Sequence, residues 1–109
     1  MKKLRSINEF LSKIRPYKRG IYLIELFGSY ARGNYKADSD IDLLVVLKNQ
    51  GLRDKLLETI DSAMEAADYQ ELLSPVIMDV RHFKKIKKLN SDFYYFLNKE
   101  GKTLWQAKT

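Results

Sequence analysis

Two aspartates one residue apart, Asp40 and Asp42, stand at the head of an apolar run, Leu43-Leu44-Val45-Val46-Leu47. Apolar residues at 41 and 43–47 predict a buried strand. Side chains alternate across a strand, so the two aspartates share one face. Adjacent carboxylates repel, and leaving them unpaired beside a core is costly. A divalent cation removes both penalties. Mg2+ is held by one or two carboxylates, with phosphate oxygens and water completing its shell. Upstream, Gly28-Ser29 ends another apolar run. Glycine lets the backbone turn sharply after Phe27 and lets a ligand come close. The Ser29 hydroxyl can cap the turn that follows, and the free N–H groups of such a turn favour an anion. The stretch 28–46 thus offers a phosphate cradle and a metal-holding pair.

Gly28-Ser29, ten intervening residues and Asp40-x-Asp42 entering an apolar strand resemble the signature of the DNA polymerase beta-like nucleotidyltransferases. Ala31-Arg32-Gly33 after the turn, Ser39-Asp40-Ile41-Asp42-Leu43, Pro75-Val76-Ile77 and the ending Glu100-Gly101 to Trp105 resemble the minimal members of bacteria and archaea. The resemblance covers nearly the whole chain. It implies an enzyme whose reaction is nucleotidyl transfer, with pyrophosphate displaced from a nucleoside triphosphate by an attacking hydroxyl. Positioning and charge neutralisation supply most of such catalysis. By resemblance, Asp40 and Asp42 hold Mg2+, Gly28 and Ser29 cradle the triphosphate of ATP, and Arg32 is a candidate to meet phosphate, with Lys36 a weaker one. A third carboxylate on a neighbouring strand is part of the family pattern. Asp79 is the only acid on the expected third strand. It is read either as that catalytic carboxylate or as a helix cap before Arg81, with alternation favouring the cap. Glu71 is a remoter substitute. The resemblance further implies a small helical, nuclease-type toxin as partner, the chain being its antitoxin and AMP passing to a partner hydroxyl. The alternative is a weak nucleotide-binding or partner-neutralising subunit.

The chain has 109 residues, 20 of them basic and 14 acidic, for a formal net charge of +6. That length suggests one domain over 1–109 with a modest core. The composition fits a soluble globular protein. No apolar run approaches the ~20 residues of a membrane span. The basic start, Met1-Lys2-Lys3-Leu4-Arg5, is followed by polar residues and does not read as a signal peptide. A cytoplasmic location is expected. Without cysteine, and with one histidine, His82, disulfides, thiolate zinc sites and histidine metal clusters are excluded. The positive balance favours phosphate-rich ligands or an acidic partner. A protein partner is expected rather than nucleic acid, because no added RNA-binding domain is visible; oligomeric state is not legible.

These residues need elements to hold them. Ser6-Ile7-Asn8-Glu9 has the form of a capping box, and Ile7, Phe10, Leu11 and Ile14 recur at helical spacing until Pro16. Ile21 to Phe27 reads as a strand, with Glu25 either facing solvent or approaching the site, solvent being favoured. Tyr30 to Gly33 reads as a turn of helix, Asn34 to Ser39 as a loop, and Asp40 to Leu47 as a strand. Asn49-Gln50-Gly51 is a turn before an amphipathic helix to about Ala67. Pro75 to Val80 reads as a third strand, Pro75 fitting a strand start or an edge. A helical pattern from Arg81 breaks near Asn90-Ser91-Asp92 and stops at Gly101. It carries Lys84, Lys85, Lys87 and Lys88, read as a solvated face or as a dock for an acidic partner or RNA. Lys102 to Trp105 closes the chain as an edge strand. Strands interleaved with helices predict an α/β (α+β) architecture, a small mixed sheet backed by helices. This agrees with the nucleotidyltransferase fold that the resemblance implies.

Overall fold

A computed structural model describes residues 4–108. Residues 1–3, part of the basic start, and residue 109 lie outside the described residues. The order is α1 (Arg5–Lys13), β1 (Ile21–Phe27), α2 (Gly28–Arg32), β2 (Ile41–Leu47), α3 (Arg53–Ala66), β3 (Leu73–Asp79), α4 (Val80–Lys88), α5 (Asp92–Glu100) and β4 (Lys102–Gln106). Short 3-10 turns precede β1 and α3. The sheet order is β3-β2-β1-β4. β1 runs antiparallel to β2 and β4, whereas β2 and β3 are parallel. The expected mixed sheet is therefore present. Pro75 lies on an edge strand, where its missing N–H removes no ladder bond on the open side.

Alternation sorts the core into two halves. Ile24, Leu26, Ile41, Leu43, Val45 and Leu47 pack against Ile7, Phe10 and Ile14 of the N-terminal segment and Leu56 and Ile60 of α3. Leu23, Leu44 and Val46 pack on the other face, against Phe83 of α4 and Leu97 of α5. β2 is buried on both faces from Leu43 to Leu47. A strand so covered is apolar in succession rather than alternating. No helix among the described residues is long and apolar enough to cross a membrane.

Two local expectations are corrected. The capping box does not form at α1: the helix starts at Arg5, and Leu4 gives no side-chain cap. Instead the Ser6 N–H donates to Glu71 Oε1 at 3.1 Å. Buried Glu71 places a negative group at a helix N-terminus, where the dipole favours it. Glu71 is thereby used in the fold and is not a substitute site carboxylate. Glu25 does not face open solvent. It is half-buried, and its carboxylate packs so closely on Gly101 that a Cβ there would collide with it.

Candidate nucleotide site

The site begins where β1 ends. Phe27 is extended, with φ −139° and ψ −174°, and α2 starts at Gly28 with φ +72°. L side chains rarely adopt that φ. Space is limiting as well, because a Cβ at Gly28 would collide with Asp42 Oδ2. Gly28 thus lets the β1–α2 turn lie directly against the Asp42 carboxylate. Phe27 is the register partner of Asp42 across β1 and β2. Ser29 sits inside α2 rather than before it, and its hydroxyl makes no capping bond. The expected Ser29 cap is therefore replaced by a helix that starts two residues earlier, at Gly28 rather than Tyr30. Gly33, at φ +82°, closes α2.

The loop from α2 to β2 is fixed by short contacts. Tyr30 and Tyr35 stack, with centroids 4.1 Å apart and an interplanar angle of 5°. The Lys36 N–H donates to Ser39 Oγ at 2.8 Å, and the Ser39 N–H donates back to the Lys36 carbonyl at 3.0 Å. The Ile41 N–H donates to the Leu72 carbonyl at 2.8 Å. These bonds hold the backbone on either side of Asp40, which is exposed. Lys36 is also exposed and lies on this loop, outside the residues that line the main cavity.

A cavity of about 400 Å³ opens beside Asp42, lined by Gly28, Ser29, Arg32, Phe93, Phe96 and Glu100, among others. α2 and β2 form one wall and α5 the opposite one. Burial pushes the Asp42 carboxyl above its ordinary range, and the neighbouring Asp40 charge adds to the rise; Arg32 opposes both. A carboxylate in that position gains most from a cation. Among the described residues no group of three or more His, Cys, Asp or Glu is placed to hold a metal. A divalent ion here would have two carboxylates, from Asp40 and Asp42, and would need phosphate oxygens and water for the rest. That donor set fits Mg2+.

Arg32 reaches the cavity but is engaged: its Nη1 donates to Glu100 Oε2 at 3.2 Å. The pair bridges α2 and α5, and the partners stand 68 residues apart. Glu100 is the member of the site that sequence reading missed. The Glu100-Gly101 pair marked a helix end, but no local signal linked it to Arg32.

Asp79 is not brought into this group. Asp42 pairs with Ser74, whereas Asp79 pairs with Leu47 at the far end of the two strands. At ~3.3 Å per residue that is about 16 Å away. Asp79 caps α4, accepting from the His82 N–H at 2.7 Å and from Gln50 Nε2 at 2.6 Å. Of its two sequence readings, the cap describes the structure, and the third-carboxylate reading is corrected. On β3 the positions beside the Asp42 face are Ser74 and Val76, and neither is acidic. His82 is in the first turn of α4.

Residues 2–102 match the family model described as a nucleotidyltransferase domain. A candidate protein adenylyltransferase of Methanocaldococcus jannaschii is 34% identical over 78 residues, 63% of this chain and 79% of the relative. A second candidate protein adenylyltransferase of that organism is 49% identical over 47 residues, 42% of this chain and 47% of the relative. The match thus spans about half the length of that second relative. Among solved structures, a toxin–antitoxin with AMP-PNP superposes with a TM-score of 0.56 at 24% identity, covering 96% of this chain and 76% of the other. At that identity the likeness is one of fold.

Proposed function

The chain belongs to the nucleotidyltransferase domain family, and from that premise we propose that it transfers AMP from ATP to a hydroxyl, a tyrosine in the first instance, of a small helical protein partner. In this reading the partner is a nuclease-type toxin and the chain its antitoxin. The observation that carries the proposal is Asp42, held against the Gly28 turn at the mouth of the cavity it shares with Ser29 and Arg32. The protein acceptor is supported by the names of the M. jannaschii relatives, and the antitoxin role by the toxin–antitoxin with the same fold.

The hydroxyl oxygen bonds to the α-phosphorus, the bond from that phosphorus to the bridging oxygen breaks, pyrophosphate leaves, and the hydroxyl proton passes to solvent. Mg2+ held by Asp40 and Asp42 would neutralise the phosphate charge and order the triphosphate. Gly28 lets the triphosphate lie against the backbone. Arg32 exchanges Glu100 for a phosphate oxygen, which a guanidinium suits. The acceptor brings its own surface, because the described residues are spent on the sheet and its cover. Transfer would place a bulky anion on the partner and block a nuclease site.

The missing carboxylate on β3 favours one second reading, a subunit that binds nucleotide and neutralises its partner without turnover. Co-expression with a small helical protein encoded nearby, followed by mass spectrometry of that protein, separates the two. A mass increase of one or more AMP groups, lost in Asp40→Asn, is the expected result. An unmodified partner, neutralised equally by wild type and Asp40→Asn, would establish the binding subunit instead.

A further inference from the structure

Helix α4 carries most of the excess charge of the molecule. The chain's formal charge is +6, and α4 contains Arg81, Lys84, Lys85, Lys87 and Lys88 with no acid. All five are exposed. Ion pairs elsewhere join Arg5 to Asp68, Arg32 to Glu100 and Lys55 to Glu58. Among the described residues, no α4 lysine has such a partner. Cations in the last turn are favoured by the helix dipole, which covers Lys85, Lys87 and Lys88. Arg81 with Lys85, and Lys84 with Lys88, are nonetheless like-charge pairs at i,i+4, a spacing that destabilises a helix. A polyanion laid along α4 relieves that repulsion.

The chemistry of the patch discriminates between partners. Lysine is depleted at protein–protein interfaces relative to other surface, whereas arginine is enriched. Four of the five cations here are lysines, which meet phosphates as point charges. Helix α5, which packs on α4, exposes two aromatic rings. Tyr95 and Phe96 are 50% and 56% exposed and stand edge to face at 5.4 Å. Phe83 of α4 and Tyr94 of α5 meet at 6.1 Å, so the two helices form one packed unit. Unpaired bases stack on such rings with little regard to sequence, and their backbone follows the neighbouring cations.

We infer that α4 and α5 together form a binding surface for single-stranded nucleic acid, with phosphates on the α4 lysines and bases on Tyr95 and Phe96. This function goes beyond nucleotidyl transfer, and because Phe96 also lines the cavity beside Asp42, the surface adjoins the nucleotide site.

Fluorescence anisotropy with a labelled oligouridylate of about a dozen nucleotides tests it. The proteins are wild type, K84Q/K85Q/K87Q/K88Q, Y95A/F96A and the control K13Q/K48Q. Glutamine keeps helix propensity close to that of lysine, and circular dichroism verifies each fold. With four phosphate contacts, wild-type affinity should fall about 50-fold between about 50 and about 200 mM salt. The quadruple variant should lose most of that salt dependence. Y95A/F96A should bind at least ~10-fold more weakly with the salt slope retained, and the control should match wild type. No binding at low salt, or equal binding by the quadruple variant, would overturn the inference. Equal affinity for a polyglutamate peptide of the same charge would make the surface a dock for an acidic protein. Equal affinity for a duplex would remove the single-strand assignment.

Discussion

β2 and β3 run side by side in the same direction, and each end of the pair holds an aspartate in an opposite environment. At the first end, burial and the Asp40 charge push the Asp42 carboxyl up, and the Gly28 turn presses against it. At the far end, the His82 N–H, aided by the Gln50 amide and the charges of Arg81 and His82, holds the Asp79 carboxyl below its ordinary range. One carboxylate is satisfied by the fold, and the other is left for something the fold does not contain. A group that works on a ligand keeps its partners vacant, and the free protein bears the cost. Stability and function thus separate along a single strand pair, and substitutions at the two ends should have opposite signatures.

The largest effect is expected at Asp42. Asp42→Asn should lower transfer by ~100-fold or more, the scale for losing one preorganised electrostatic group. It should also raise the melting temperature at neutral pH. A carboxyl whose folded pKa is raised destabilises the fold once pH exceeds its ordinary value of 3.8. The gain should therefore vanish in acid, where Asp42 is protonated in both states. Thermal unfolding at pH 7 and near pH 3 gives the check, and equal melting temperatures at pH 7 would break the comparison.

Next comes Gly28→Ala. It places an L residue at φ +72° and drives a Cβ into Asp42, so a loss of roughly 1–3 kcal/mol is expected, with weaker ATP binding. Gly33→Ala sharpens the test. Its φ is +82°, but nothing lies within 4 Å of the added carbon, so it should cost less and leave ATP affinity unchanged. Denaturant unfolding of both variants isolates the clash with the carboxylate from the backbone penalty.

Asp79→Ala should leave transfer within about twofold of wild type, because capping is a stability contribution. It should lower stability at neutral pH. The charge-dependent part of that loss is present above the ordinary value of 3.8 and disappears as pH falls through the lower folded value. A loss of transfer like that of Asp42→Asn would return Asp79 to the site. The smallest effect is expected at Glu25, whose carboxyl is raised by burial. Glu25→Gln should slightly raise the neutral-pH melting temperature without altering transfer.

The same contrast explains what sequence made legible. β2 was readable because its apolar run is continuous, and Asp42 because it breaks that run on one face. Asn90-Ser91-Asp92 was readable as a break, and there Asn90 takes φ 50° while Ser91 caps α5. The failures involve distant partners. Ser6 and Glu9 looked like a self-contained box, but Glu71, 65 residues on, supplies the acceptor to Ser6. The favoured solvent reading of Glu25 failed because Glu25 lies beside Leu23, among Phe83 of α4 and Tyr94 and Leu97 of α5, with Gly101 against its carboxylate. The Arg32–Glu100 bridge depends on how α5 returns across the sheet, and no spacing rule encodes that.

In the proposed function, the Gly28–Asp42 end of the strand pair is a magnesium-dependent nucleotide site. Calorimetric titration of ATP into wild type and Asp42→Asn, each with Mg2+ and with a chelator, tests it most directly. Wild type should bind ATP more tightly with Mg2+, and Asp42→Asn should bind it equally under both conditions while remaining folded. Magnesium dependence that is the same in both proteins would contradict the account.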